Sequence, residues 1–509
     1  MSTQSPGVSG GTRFVGNDRL LFGMIFGVLA FWLFAQTTLN IAPVMADELR
    51  IGTSVMNIAV SITALFSGIF IVVVGSLADR FGRVRMVRLG FVLSIAGSLL
   101  VGLAPRGGLA PAFLMLGRVL QGLSGACIMP ASLALVKAYW EGAARQRAIS
   151  LWSMGSWGGA GFAALFGGLM AENVGWRWIF FAGAAISLVG MLMLAGTPES
   201  RAEAKGAYRF DTAGVLTFMV MMVALQVLAT QGGSLGWGSL PTLGLLGTSV
   251  VFAVLFFRIE SSNPHGFVDF GLFRNMTYTG ATISNFLLNA TAGILIVAMT
   301  LVQVGGGMTA QQAGLLTIGY AVAIVAFIRV GEKLLQRFGP RRPMIGGSLI
   351  VGAAVACLMP TNLTLGRYKI LAVVGFTLFG LGLAFYATPS TDAALSSLPD
   401  DKAGSGSGLY KMASSLGASF GVAISAAVFT ALSEGGGSVR WIEGVISYLG
   451  RQDNLAVRQA ALVALTINLL MVGAAIVSIV TTIPRQRRSE DARVPGALMS
   501  TNDPATGLR

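Results

Sequence analysis

Along almost the whole chain, apolar runs long enough to cross a bilayer alternate with short polar connections. A spanning helix needs roughly 20 apolar residues at about 1.5 Å rise each. On that criterion the pattern predicts six helices near residues 20–42, 54–74, 86–104, 112–136, 148–170 and 178–196. A charged linker, 197–211, then leads to two shorter apolar segments, 212–230 and 241–257, and a polar loop, 258–277. Six more spans follow near 278–304, 310–330, 343–360, 370–392, 406–432 and 460–482. The expected fold is all-α and polytopic, six plus two plus six spans. Its parts are an N-terminal tail (1–19), a six-helix bundle (20–196), a linker with two accessory helices (197–277), a second bundle (278–482) and a tail (483–509). The first apolar run exceeds the roughly 7–15 residues of a signal-peptide core, so it reads as a retained helix.

Charge fixes the expected orientation. An even span count puts both termini on one side, together with the arginines at 80, 83, 85, 145, 147, 337, 341, 342, 485, 487 and 488. Basic short loops face the cytoplasm, so both tails are expected there and the protein in a plasma membrane. The loops 231–240 and 305–309 carry no charge; 433–459 is longer and mixed, and 441–449 is expected to lie flat at the interface. Only 11% of residues are charged and the mean hydropathy is +0.74, against about 25% charged in soluble domains. The net charge of +14 therefore reads as basic loops in a lipid-embedded protein, not as a nucleic-acid surface. Cys127 and Cys357 fall inside apolar segments, and the single histidine, His265, lies in a polar loop. No disulfide framework, metal site, cofactor or catalytic triad is expected from them.

The most informative stretch joins the second and third spans: Gly75-Ser-Leu-Ala-Asp79-Arg80-Phe-Gly82-Arg83-Val-Arg85. Its glycines allow a tight turn and close helix approach. Asp79 stands at a helix end, suited to pairing with arginine or to capping a neighbouring helix. Arg80-Phe81-Gly82 returns as Arg337-Phe338-Gly339, again after the second helix of a bundle, with Gln336 in place of Asp79 and Pro340 in place of Arg83. This stretch resembles the loop signature of the major facilitator superfamily. The resemblance implies two bundles rocking about a central cavity, with Asp79, Arg80, Gly82 and Arg83 forming a cytoplasmic latch and Gly75 at the helix contact. Asp392, at the inner end of the twelfth span, is expected to join this gate, paired with Lys411.

Arg118 and Gln121 lie inside the fourth span, in Leu116-Gly-Arg118-Val-Leu-Gln121-Gly122-Leu-Ser-Gly125-Ala126. An arginine inside a span is costly to insert and marks a functional site by default. The segment resembles the superfamily's fourth-helix motif, whose arginine is linked to proton coupling. Gly122 and Ala126 form a small-residue packing pair. Gly155, Gly159, Ala163 and Gly167 form a packing stripe on the fifth span, and Ala413, Gly417, Gly421 and Ser425 repeat it on the thirteenth, expected to face a moving interface. Drug–proton antiporters carry a Gly-Pro pair where Gly159-Ala160 stands, and an aspartate where Ala35 stands; both are departures.

Trp32, Gln36 and Asn40 share one face of the first span, with Asp47 two turns on and Pro43 between as a kink. Asn285 and Asn289 lie one turn apart on the ninth span, and Phe376, Phe379, Phe385 and Tyr386 on the twelfth. The superfamily resemblance places the first, fourth, ninth and twelfth spans around the cavity, with Arg118 expected to be exposed to that water-filled hollow. Amide and aromatic groups there suit an amphipathic, partly cationic aromatic ligand. For proton coupling, the adjacent acids Asp47 and Glu48 near the outer mouth are the candidates, since like charges raise one member's pKa. Glu332 near Arg329 is a further acid.

Several strings narrow the likeness: Phe31-Trp-Leu-Phe-Ala-Gln36, Gly155-Ser-Trp-Gly-Gly159, Gly175-Trp-Arg-Trp-Ile-Phe180, Arg329-Val-Gly-Glu332, Tyr386-Ala-Thr-Pro-Ser-Thr-Asp392 and Tyr410-Lys-Met-Ala-Ser414. They resemble the fourteen-span drug:proton antiporters, in particular the NorB-type quinolone exporters. That implies a monomeric secondary transporter using the proton gradient to expel small-molecule drugs. The alternatives are a dedicated exporter of an endogenous metabolite or lipid-like compound and, from another class, a membrane sensor or enzyme. Against an enzyme stands the lack of a His/Cys/acid constellation in the spans; against a sensor, the lack of an appended soluble domain.

Overall fold

The computed structural model describes residues 14–202, 211–263, 266, 268–434, 447–450 and 454–485. The outer parts of both tails, the middle of the charged linker, His265 and most of the 441–449 segment lie outside the described residues. The described helices assemble into fourteen rods. In the first half these are α1 (Asp18–Leu29, Ala30–Ala35, Thr38–Leu49), α2 (Thr53–Phe81), α3 (Arg83–Gly102), α4 (Ala110–Tyr139), α5 (Gly142–Ser153, Met154–Gly158, Gly159–Asn173) and α6 (Arg177–Met193). The accessory pair is α7 (Thr212–Leu235) and α8 (Leu240–Ser262). The second half comprises α9 (Met276–Ala290, Gly293–Thr300, Leu301–Gly305), α10 (Ala310–Leu315, Ile318–Phe338), α11 (Arg341–Leu358), α12 (Leu365–Ser396), α13 (Ala403–Glu434) and α14 (Leu455–Thr482).

Among the described residues, eleven helices are long and apolar enough to cross a membrane, twelve if the bent pair Leu165–Asn173 and Arg177–Met193 counts as one. The rods that fall short are α5, broken by a π turn at Met154–Gly158, α6, with 17 residues, and α7, whose apolar stretch is Thr212–Leu228. A second π turn, Ala30–Ala35, interrupts α1 ahead of Pro43.

The halves meet along α2–α13, α4–α13, α5–α10 and α5–α12. The accessory hairpin lies beside the first of these seams. α7 packs on both α2 and α13, and its buried Gln226 donates to Ser419 Oγ at 3.2 Å. α8 packs on α7 and exposes Leu243, Leu246, Val250, Val251, Val254 and Phe257, an apolar face suited to lipid.

The repeated loop has repeated geometry. α2 ends at Gly82 (φ 120°) and α10 at Gly339 (φ 70°), and each glycine N–H donates back to its helix, to Ala78 O and Leu335 O. Both conformations disfavour a side chain, and α3 and α11 start directly beyond, at Arg83 and Arg341.

The small-residue stripes divide differently from expectation. In α5, Gly155, Gly159 and Gly167 face Ile25, Trp32 and Thr37 of α1, while Gly158 and Gly161 admit Val325 and Ala321 of α10 across the seam. In α13, Gly417 and Gly421 press on the backbone of Phe286 and Ala290 in α9, within the same half. The inter-half contact of α13 runs instead through Gly404 and Gly408, against Gly75 and Ile71. The 413–425 stripe thus holds a bundle together, and the contact between the halves lies nearer the start of the helix.

Candidate functional site

At the basic end the two halves are clasped by polar contacts. Asp79, 6% exposed, closes the last turn of α2. Its Oδ1 accepts from Arg83 Nε at 3.0 Å and Nη2 at 2.8 Å. The same carboxylate accepts the Gly404 N–H (2.7 and 2.8 Å) and the Ser405 N–H (2.9 Å), the first free amides of α13. A carboxylate there meets both the unsatisfied donors and the positive end of the helix dipole. Arg83 Nη2 donates to Asp400 O at 2.7 Å. A Cβ on Gly75 would stand 2.5 Å from Gly404 O, so the approach of α2 to α13 requires glycine at that point.

A second set of contacts runs from α4 and α5 to α12. Lys137 Nζ donates to Leu395 O at 3.0 Å and to Leu398 O, and pairs with Asp400 at 3.5 Å. Arg145 pairs with buried Asp392 at 3.5 Å and donates to Ser396 Oγ at 2.8 Å; Gln146 donates to Asp392 Oδ2 at 3.5 Å. Asp392 Oδ1 and Arg145 Nε make no hydrogen bond among the described residues. The expected Asp392–Lys411 pair does not form: Arg145, on the opposite half, takes the carboxylate, and Lys411 Nζ lies 4.4 Å from the ring centroid of Trp152. Glu332, the further acid near Arg329, pairs with it at 2.5 Å. Arg80 is half-buried at the end of α2.

The linker contributes a contact that no local pattern signalled. Glu199 accepts the Val84 N–H at 2.8 Å and the Arg85 N–H at 3.1 Å, capping α3. Arg83 N–H donates to Ser200 O at 2.8 Å and Ala202 N–H to Asp79 O at 2.7 Å. A cavity of about 620 Å³ opens between this segment and Phe14, Arg83, Lys137, Tyr139 and Asp400.

Arg118 is wholly buried, facing neither lipid nor an open cavity. Its guanidinium donates to Ala59 O (Nε, 3.0 Å), Ala35 O (Nη1, 2.6 Å), Gln121 Oε1 (Nη1, 2.8 Å) and Val60 O (Nη2, 3.5 Å). Gln121 passes the contact to Ser98 Oγ at 3.2 Å, and Thr63 Oγ1 donates to Arg118 O at 3.0 Å. No carboxylate takes part. Arginine's rigid fork of donors suits such a set of carbonyls, and Ala35 supplies one at the end of the π turn in α1. Arg118 therefore ties α1, α2 and α4 together, and the expectation that it faces a water-filled hollow is corrected.

The other cavity candidates separate by burial. Trp32 and Gln36 are half-buried, and Trp32 Nε1 is buried without a hydrogen-bond partner among the described residues; the Asn40 side chain lies outside them. Asn285 is buried, donating to Tyr410 O at 3.0 Å and Ser414 Oγ at 2.6 Å, and half-buried Asn289 donates to Asn285 Oδ1 at 3.0 Å. Phe379 is buried and stacks on Tyr320 at 5.4 Å between ring centroids. Tyr386 is buried in a run of hydroxyls, Ser284–Tyr386–Ser390–Tyr410–Thr391, with links of 2.7, 3.0, 2.9 and 3.3 Å. In this conformation Phe379 and Tyr386 serve the interior of the second half, and Asn285 joins α9 to α13.

At the opposite end Asp47 is exposed, while Glu48 is held by three partners. Glu48 accepts from Trp176 Nε1 at 2.6 Å and Arg177 Nε at 3.2 Å, and Arg106 lies at 3.5 Å. Burial pushes its carboxyl up, but these hydrogen bonds and charges outweigh it and leave it below the ordinary value of 4.5. Mutual repulsion with Asp47 is therefore not what governs Glu48. A depressed folded-state pKa contributes stability above the ordinary value, and that contribution disappears as pH falls through the folded value. Glu48→Gln is expected to lower the unfolding free energy at pH 7 by less than about 1 kcal/mol. The deficit should close in acid, below the ordinary value of 4.5; a pH series of melting curves checks this.

Two helical halves in contact, paired loop signatures and a charge latch define a transporter architecture, and the Major Facilitator Superfamily model matches residues 20–422 and 281–495. The chain belongs to that superfamily: a multi-pass membrane transporter of small molecules, not an enzyme. It is 47% identical over 422 residues to the quinolone resistance protein NorB of Staphylococcus aureus strain MRSA252, covering 82% of this chain and 90% of that one. The NorB protein of strain MSSA476 matches to the same extent. Among solved structures, the proton:xylose symporter XylE superposes with a TM-score of 0.59 at 15% identity, covering 90% of this chain and 95% of that one. The human organic anion transporter MFSD10 does so at 0.54 and 14%, covering 89% and 98%. At such low identity these two establish the fold alone.

Proposed function

We propose that the protein is a proton-coupled exporter of quinolones and other amphipathic drugs in a bacterial plasma membrane, working as a monomer by alternating access. The likeness to NorB over most of both chains supports the substrate class. The observation that carries the mechanism is the latch: two carboxylates, Asp79 and Asp392, hold the halves together at the basic end. That end is assigned to the cytoplasm by its arginines, so the conformation described is closed to the cytoplasm.

Asp392 is the protonation site this geometry favours over Asp47 and Glu48. It is buried, its cationic partner Arg145 belongs to the other half, and their contact lacks a direct hydrogen bond at Oδ1. A proton on Asp392 cancels the ion pair that keeps α5 against α12 and lets the cytoplasmic side open. There water reaches the carboxyl and takes the proton away. The hydroxyl run ending at Thr391, the residue before Asp392, leads to it from the interior. Cells expressing the protein are expected to accumulate less norfloxacin and less ethidium than controls, with a protonophore abolishing the difference. Asp392→Asn is expected to remove the protonophore-sensitive part, and Asp47→Asn to keep it. Accumulation unchanged by expression would defeat the efflux reading, and coupling retained in Asp392→Asn would defeat the assignment of the proton site.

A further inference from the structure

Lys411 carries a buried amine without a counterion among the described residues. It projects from α13, is 7% exposed, and makes no hydrogen bond or ion pair among the described residues. Its Nζ rests 4.4 Å from the ring centroid of Trp152 and 5.8 Å from that of Tyr410. Asp392, the acid expected to neutralise it, is committed to Arg145 and Gln146. A ring face restores only part of the hydration that a buried ammonium gives up, so an anion arriving beside Lys411 would hold its amine in the charged form.

Two features say when an anion can arrive. Trp152 belongs to α5 in the first half and Lys411 to α13 in the second, so separating the halves at the basic end takes the ring away from the ammonium. Lys411 also lies eight residues beyond Ala403, about 12 Å deeper along α13, behind the Asp79 latch at Gly404 and Ser405. A ligand entering through the open latch meets it there, one helical turn before Ser414, whose Oγ accepts from Asn285. We infer that Lys411 is an anion-binding residue of the transport site, taking the carboxylate of an aromatic acid or zwitterion as the Trp152 face withdraws. This deepens the efflux reading and rests on it: it assigns substrate selectivity for a carboxylate to a named side chain.

The test uses purified full-length protein in nanodiscs, with norfloxacin and its methyl ester as probes and their own fluorescence anisotropy as readout. The wild type is expected to bind the acid about tenfold more tightly than the ester, the size of one charge-assisted hydrogen bond. Lys411→Met and Lys411→Gln are expected to erase that preference and Lys411→Arg to keep it. A preference that survives in both neutral variants, or one absent from the wild type, overturns the assignment. If Lys411 serves only to hold Trp152 in the closed gate, the acid-to-ester ratio does not move, which also overturns it. Ethidium accumulation by the wild type is measured in parallel. It lacks a carboxylate, so its failure counts against the efflux reading and not against Lys411.

Discussion

Asp79→Asn is expected to unfasten the cytoplasmic latch and reduce drug export at least tenfold. The carboxylate meets the Gly404 and Ser405 amides and both Nε and Nη2 of Arg83. Asparagine offers one acceptor and no charge, leaving Arg83, 3% exposed, as a buried cation without a counterion. Breaking a buried pair by removing one partner costs about 3–5 kcal/mol, while every 1.4 kcal/mol or so moves a two-state equilibrium about tenfold. Closed and open forms then exchange populations. Hydrogen–deuterium exchange reads this directly, because the two amides at the start of α13 exchange a carboxylate for a single neutral acceptor. Exchange over the first turns of α13 should quicken by more than about tenfold, and protection equal to wild type would show that Asp79 does not hold the latch.

Arg118→Ala is expected to cost both stability and transport. The change removes donors from Ala35 O, Ala59 O, Val60 O and Gln121 Oε1 at once, in a site with no water access. Each buried acceptor left without a donor costs about 1–3 kcal/mol; Val60, at 3.5 Å, is the weakest of the set. A loss of about 3–5 kcal/mol follows, together with at least tenfold slower export, since α1 can no longer move as one body with α2 and α4. Arg118→Lys, a compact charge without the planar fork, should recover only part of either. Melting curves and dye-efflux rates on the same preparations check the pair. A thermal midpoint unchanged in Arg118→Ala would mean that the guanidinium does not brace the half.

How far such features can be read from the sequence depends on whether their cause is local. The spans were legible because lipid imposes a length and a hydropathy on each helix separately. The latch loop was legible because a glycine at positive φ and arginines at a helix start leave their mark within a few residues, as Gly82 and Gly339 show. Contacts made across the fold left no such mark. Glu199 caps α3 from 115 residues away, and Lys137 reaches carbonyls 258 and 261 residues distant. Sequence proximity misled at Asp392, where Lys411 on the next helix looked the natural partner and Arg145 on the opposite half took its place. Arg118 was recognised as costly to bury. That carbonyls meet its charge, one of them at a π turn formed without glycine or proline, could not be foreseen from residue types. Asp47 and Glu48 looked alike side by side, yet Trp176 and Arg177 single out Glu48.

The two halves are expected to part at their basic ends when Asp392 loses its charge. The direct measurement is double electron–electron resonance between spin labels at Phe81→Cys on α2 and Arg337→Cys on α10, both exposed, with Cys127 and Cys357 replaced by serine. The prediction is a single short distance at neutral pH and a second, longer population in Asp392→Asn. One unchanged distance in both proteins would contradict it.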